Sequence, residues 1–230
     1  MKVTYLGHSG VILEANGKKI AIDPFISGNP LATITVDQIK VDAVLLTHGH
    51  GDHSGDAATI ALQNDCPIIA VVELAGLIAP TGAKTVGVNT GGTYYIGDIK
   101  VKFVQAFHSS SYEVEGFSVY AGQPQGILVT MDNQTVYHMG DTALFSDIKL
   151  IAELNKIDLV LIPIGDHFTM GPEEALLAAK WSSAGTVMPI HYNTFPQIKQ
   201  DGAAFAAKIE EQGQNAIELK PGESFTLLSY

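Results

Sequence analysis

Residues 48 to 53 of this 230-residue chain read His48-Gly49-His50-Gly51-Asp52-His53, directly after the apolar run Val44-Leu45-Leu46-Thr47. Three imidazoles and a carboxylate in six positions predict a metal site, since neutral imidazole suits zinc and neighbouring transition metals and the carboxylate compensates their charge. On a loop leaving a strand, this alternation projects ligands in several directions, so one short segment can serve two adjacent cations. The glycines lack a Cβ and let the backbone turn sharply while the flanking side chains converge.

The order His-x-His-x-Asp-His after a strand resembles the hallmark of the metallo-β-lactamase superfamily. Three downstream positions resemble the rest of that ligand set. His108 ends the alternating run Val101 to Phe107 and opens Ser109-Ser110-Ser111, Asp141 lies in Gly140-Asp141-Thr142, and His191 leaves the apolar run Thr186 to Ile190. The resemblance implies one ion held by His48, His50 and His108 and a second held by Asp52, His53 and His191, with Asp141 bridging. Each ion would then have about four protein ligands and keep an open position for water, the condition for a catalytic site. Two divalent ions are expected, Zn2+ first, with Mn2+ or Fe as alternatives.

Three further segments narrow the resemblance: the N-terminal Val3 to Gly10, Ile20 to Pro30, and Pro163 to Pro172. Together they are similar to a widespread bacterial and archaeal family of metal-dependent hydrolases near the ascorbate-6-phosphate lactonase branch of the superfamily. The likeness covers essentially the whole chain and implies a fold and a hydrolytic apparatus rather than a substrate.

Metal coordination lowers the pKa of bound water towards neutrality, so two neighbouring ions can share a hydroxide that attacks a polarised centre without a serine or cysteine nucleophile. The expected function is hydrolysis of a small ester, lactone or amide-like molecule by that bridging hydroxide. Asp52 is expected both to ligate and to orient the nucleophile, which a neutral imidazole with one acceptor nitrogen could not do. His167, in Gly165-Asp166-His167-Phe168-Thr169, is expected at the site edge, donating to an oxyanion or a leaving group, or else bonding only to backbone. His8 is a candidate for contact with substrate or with a ligand, and Asp23 for orienting a ligand histidine. Two other classes use the same ligands: a phosphodiesterase acting on a small phosphorylated metabolite, and a di-iron redox protein, which would need a flavin partner for which this chain has no segment.

A formal charge of −11 and the complete absence of arginine argue against a nucleic-acid surface, because phosphate affinity rests on clustered Lys and Arg. No apolar run approaches membrane-spanning length, and the N-terminus opens on a strand-like segment rather than a secretory signal. A lone Cys66 excludes an internal disulfide and fits a reducing compartment, so a cytoplasmic enzyme with a small-molecule substrate is expected, with homo-oligomerisation left open.

The elements that must position these residues follow from periodicity. Strands are predicted at 2–6, 10–15, 18–23, 43–47, 68–72, 85–88, 93–96 and 98–107, with helices from 55 to 64 and 72 to 79. The second half repeats the scheme, with strands at 117–122, 125–132, 134–138, 158–164 and 186–190. Its helices are predicted at 146–155, 172–182 and 201–212, before two terminal strands. Two meander-plus-helix halves, with ligands at strand exits in both, predict one α/β domain over 1–230 built as a four-layer αββα sandwich.

Overall fold

The computed structural model describes residues 1–227. In its first half, β1 (Lys2–Gly7), β2 (Gly10–Ala15) and β3 (Lys18–Ile22) form a meander. β4 (Ala43–Leu45), α1 (Gly51–Ser54), α2 (Ala57–Asn64), β5 (Ile68–Ala70), α3 (Val72–Ile78) and β6 (Thr85–Gly87) follow. The second half opens with β7 (Thr93–Ile96), β8 (Ile99–Gln105), a ribbon of β9 (Ser111–Val114) and β10 (Phe117–Tyr120), then β11 (Gln125–Met131) and β12 (Gln134–His138). It closes with α4 (Ile148–Leu154), β13 (Leu159–Pro163), α5 (Pro172–Ser182), β14 (Thr186–Ile190), α6 (Gly202–Glu211), β15 (Asn215–Ala216) and β16 (Ser224–Thr226).

Two seven-stranded sheets result, ordered β16-β1-β2-β3-β4-β5-β6 and β15-β14-β13-β12-β11-β8-β7. Alternation along the strands decides which face each side chain takes. Ile20, Ile22, Ala43 and Leu45 enter one apolar cluster with Ile127, Val129, Leu159 and Leu161 of the opposite sheet. Their neighbours Ala21 and Val44 join Ile60 and Leu74 of α2 and α3. Leu128, Val160 and Ile162 join Ile148, Ala178 and Phe205 of α4, α5 and α6. Three apolar spaces between four layers are the αββα sandwich that the sequence predicts. Central strands buried on both faces also explain the apolar composition.

Strand direction gathers the exits. β3 runs parallel to β4 and antiparallel to β2, which is itself antiparallel to β1, so β1, β3 and β4 end on one edge. β12, β13 and β14 are parallel, and β8 shares their direction through the antiparallel β11. The carboxyl ends of strands in a mixed α/β sheet are where ligand sites form, and here these exits carry every candidate residue.

Two differences from the expected elements, and one pairing that the sequence left open, complete the frame of the site. The segment after His50 forms the short helix α1, closed by Ser54 N–H donating to the His50 carbonyl at 2.9 Å, rather than continuing as loop to a helix at Gly55. Ser111–Val114 is a strand and pairs antiparallel with β10. Of the two terminal strands, β16 returns to the first sheet and pairs with β1.

Candidate metal centre

Building the site from the chain upward, β4 delivers His48 and His50, and the turn of α1 then swings Asp52 and His53 inward. The backbone at Gly49 runs so close to the β9–β10 ribbon that a Cβ there would stand 2.8 Å from the Ser111 carbonyl oxygen and 2.8 Å from the Ala121 Cβ. Only glycine permits that approach. On the other sheet, Gly140 turns at φ +64° ahead of Asp141, with Thr47 packed against it. His8, Asp23 and His191 also hold positive φ (58°, 46° and 56°), a concentration of left-handed backbone at one edge that is characteristic of functional sites. The His8 carbonyl is pinned by the Tyr5 hydroxyl at 2.9 Å and by His191 N–H at 2.7 Å.

The ligand atoms of His48, His50 and His108 lie within 4.8 Å of one another, and those of Asp52, His53 and His191 do so together with His8. Asp141 joins the two groups. Its Oδ2 lies 3.0 Å from His191 Nε2 and 3.6 Å from His108 Nε2, while its Oδ1 lies 3.4 Å from His53 Nε2. The structure therefore brings all seven expected residues to one place.

The partners of each ring decide what it presents. Asp23 Oδ1 accepts from Thr47 N–H at 2.8 Å, and its Oδ2 accepts from the Thr47 hydroxyl and from His53 Nδ1–H at 2.8 Å. Because the Thr47 hydroxyl donates to Asp23, it accepts from His48 Nδ1–H, 3.0 Å away. One buried carboxylate thus fixes the Nδ1 proton of both His48 and His53, one in each group, so that Nε2 is the atom each ring turns inward; His48 Nε2 lies 2.9 Å from His50 Nδ1. His8 is the opposite case. Asp52 Oδ2 can only accept, so His8 Nε2–H donates to it at 3.0 Å, and His8 Nδ1 accepts from the Thr194 hydroxyl at 2.9 Å. With an N–H rather than a lone pair facing the cluster, His8 is disposed to orient Asp52 instead of ligating. His138 is likewise committed, Nε2 to the Ser9 carbonyl at 2.8 Å and Nδ1 to Gly140 N–H at 3.0 Å.

Electrostatics test whether the donor set suits a cation. Burial lowers His8 to about 4, and burial also lowers His48, His50 and His108 against the opposing pull of Asp141, so these rings are neutral at pH 7. Burial alone would lower His53 and raise Asp141. The Asp141 and Asp23 carboxylates outweigh it at His53, which rises well above its ordinary value, and the His191 and His53 rings outweigh it at Asp141, which falls well below. His53 Nε2 and Asp141 Oδ1, 3.4 Å apart, are buried without any hydrogen bond. Neutral imidazoles around buried carboxylates, with donor atoms facing a common space unpaired, fit transition-metal ions better than they fit a self-contained polar network. A bound cation would supply the charge that a proton on His53 otherwise carries.

A cavity of about 470 Å³ opens over this cluster. His50, Asp52, His108, Asp141 and His191 form its floor, and Ser109, Phe168, Phe195 and Gln197 its walls. Phe195 is held edge-on to His8 (5.4 Å between ring centres) and leans on Phe25. His167 is exposed and touches the ring of Phe168 at 4.6 Å, outside the set of residues lining the cavity. Sequence reasoning missed Thr47, Thr194 and the wall residues. Thr47 alone had a local signal, its place directly before His48.

Residues 2–191 match the family model described as the beta-lactamase superfamily domain, which with the αββα fold and this ligand cluster places the chain in the metallo-β-lactamase class. Within it, the chain belongs to the UPF0173 metal-dependent hydrolase family. A member from Bacillus cereus is 53% identical over 229 residues, 99% of this chain and 100% of the relative. Among solved structures, Igni18, a metallo hydrolase from the archaeon Ignicoccus hospitalis, is 37% identical with a TM-score of 0.89 over 97% of both chains. An isothiocyanate hydrolase from Delia radicum gut bacteria, 22% identical with a TM-score of 0.78 over the whole of both chains, shares the fold alone.

Proposed function

We propose that this protein is a binuclear metal-dependent hydrolase acting on a small ester, lactone or amide-like substrate. His48, His50 and His108 hold one ion, Asp52, His53 and His191 the other, and Asp141 reaches both. The observation that carries this reading is the position of Asp141, buried between two three-ligand groups and within 3.6 Å of a histidine from each. Zinc is the metal the nitrogen-rich set suits best, with manganese or iron as alternatives. Bound there, such a pair of ions would supply a water acidified towards neutral pH as the nucleophile and would polarise the scissile group.

The chain's own groups divide the remaining work. Asp52, held by His8, orients the attacking water. Asp23, through Thr47 and His53, holds the Nδ1 protons of His48 and His53 and so turns Nε2 of each ring towards its ion. His167, carried at the rim beside Phe168, returns a proton to the leaving oxygen or nitrogen. The balance is that of hydrolysis: the water oxygen bonds to the acyl carbon, the bond to the leaving atom breaks, and that atom takes the proton.

The test is elemental analysis of the purified protein beside a panel of esters, lactones, amides and phosphodiesters. Two ions per chain with ester or lactone turnover are expected, and Asp141→Ala should lose both activity and metal. Saturation at one ion with no effect of Asp141→Ala would overturn the binuclear reading. Turnover of bis-(p-nitrophenyl) phosphate without esters, or iron with oxygen consumption, would overturn the substrate class.

A further inference from the structure

The walls of the cavity carry information about the part of the substrate that does not react. Beyond the ligand floor they consist of two aromatic rings, Phe168 and Phe195, with the neutral polar groups of Gln197 and Ser109. No lysine lines the cavity, and the chain has no arginine anywhere. A phosphate held away from the reacting bond needs a positioned cation or a cluster of donors, and Arg or Lys is the usual supplier. Ions held at the floor would sit beside Asp52 and Asp141, whose charges offset theirs, and would lie away from such a phosphate. The protein as a whole repels anions, at a formal charge of −11.

What the walls do offer is apolar area. Phe168 is half-exposed and lines the cavity beside the ligand floor, and Phe195 is fixed against His8 and Phe25 so that its remaining face is presented without loss of rotamer freedom. Gln197 brings one amide to the same wall, suited to one neutral polar group. From these residues, and resting on the hydrolase reading above, we infer that the substrate is an uncharged ester or lactone whose acyl portion is an apolar chain or ring lying between Phe168 and Phe195. Substrates phosphorylated away from the scissile bond are excluded.

The experiment compares three p-nitrophenyl esters on the zinc-loaded enzyme: acetyl, hexanoyl, and hexanoyl carrying a phosphate on its terminal carbon. Each methylene buried against the walls should raise kcat/KM about fourfold, so the hexanoyl ester should exceed the acetyl ester by at least tenfold while the phosphorylated ester falls below both. Phe168→Ala, at an exposed position that does not threaten folding, should reduce the hexanoyl-to-acetyl ratio. Gln197→Lys should raise kcat/KM for the phosphorylated ester by tenfold or more. A readout independent of turnover is saturation-transfer NMR on the metal-free protein, where hexanamide should receive magnetisation and lose it in Phe168→Ala.

The outcomes separate the two readings. An enzyme with metal bound that cleaves none of the three esters, nor any ester, lactone or amide of the panel above, overturns the hydrolase reading. One that cleaves the acetyl ester but shows no gain with hexanoyl, or prefers the phosphorylated ester, keeps that reading and overturns the inference about the walls. Hexanamide binding that is unchanged by Phe168→Ala overturns it as well.

Discussion

Asp23 makes no contact with the cavity, yet the tautomers of His48 and His53 both depend on it. Asparagine in its place keeps the volume and loses one acceptor, although three donors need accommodating there. Asp23→Asn should weaken metal binding about 10- to 100-fold, measured by competition with a chelator, the range found when a ligand histidine loses its orienting carboxylate. Unchanged affinity would mean that the tautomers are set by the ions alone. His167 offers the contrasting case, since it bonds to no ligand residue. His167→Ala should leave the metal content intact and lower kcat by roughly 10²; loss of a metal, or full activity, would remove His167 from the proposed mechanism. The sequence displays ligands well because histidine and aspartate are rare in such density and sit at fixed offsets. Thr47 was marked only by its place directly before His48, and Thr194 stayed illegible because threonine is common everywhere. Their roles exist only as distances to His48 and His8, across 1 and 186 positions of chain.

At the scale of elements, strands with alternating or continuous apolar runs were readable, and with them the exits that carry the site. Two elements were not. α1 has glycine at its first helical position and glycine at its end, with no apolar period, so nothing local signals a helix; the turn is made by the His50 carbonyl accepting from Ser54. β9 lies in a serine-rich stretch that reads as loop. Its hairpin turn, Glu115-Gly116 with both residues at positive φ (52° and 82°), was the available clue. This ribbon leans on the ligand loop at Gly49, and the contact can be tested. Gly49→Ala should force the ribbon and the loop apart, costing about 2 kcal/mol of stability, or roughly 5 °C in Tm, and weakening metal binding through the displaced His48 and His50. A variant that melts like the parent and binds metal equally well would show that the loop tolerates the side chain.

For the whole molecule, the buried imidazoles set how the metal-free protein responds to pH. His8, lowered to about 4, and His48, His50, His108 and His138, lowered by burial, stay neutral in the folded chain where the unfolded chain would protonate them near the ordinary 6.5. Below that value the unfolded state binds more protons, so stability falls as pH falls, by ~2 kcal/mol at about pH 5 from His8 alone. His53 has the opposite sign: its raised pKa contributes stability that is present below 6.5 and lost as pH climbs towards the folded value. The metal-free protein should therefore be most stable near pH 6.5, and metal should abolish the alkaline decline by replacing the proton on His53. Urea unfolding of both forms at acid, neutral and alkaline pH measures this, and a metal-free protein equally stable at all three would contradict it. The return of β16 to pair with β1 bears on how the chain is made. A nascent polypeptide emerges from its amino end, so the outer backbone edge of β1 has no partner until residues 224–226 arrive, after every metal ligand has been synthesised. During that interval the strand offers a template on which another unfinished chain can pair. Pairing of β16 replaces the six-residue edge of β1 with one of three residues, and short edges are poor templates for such pairing.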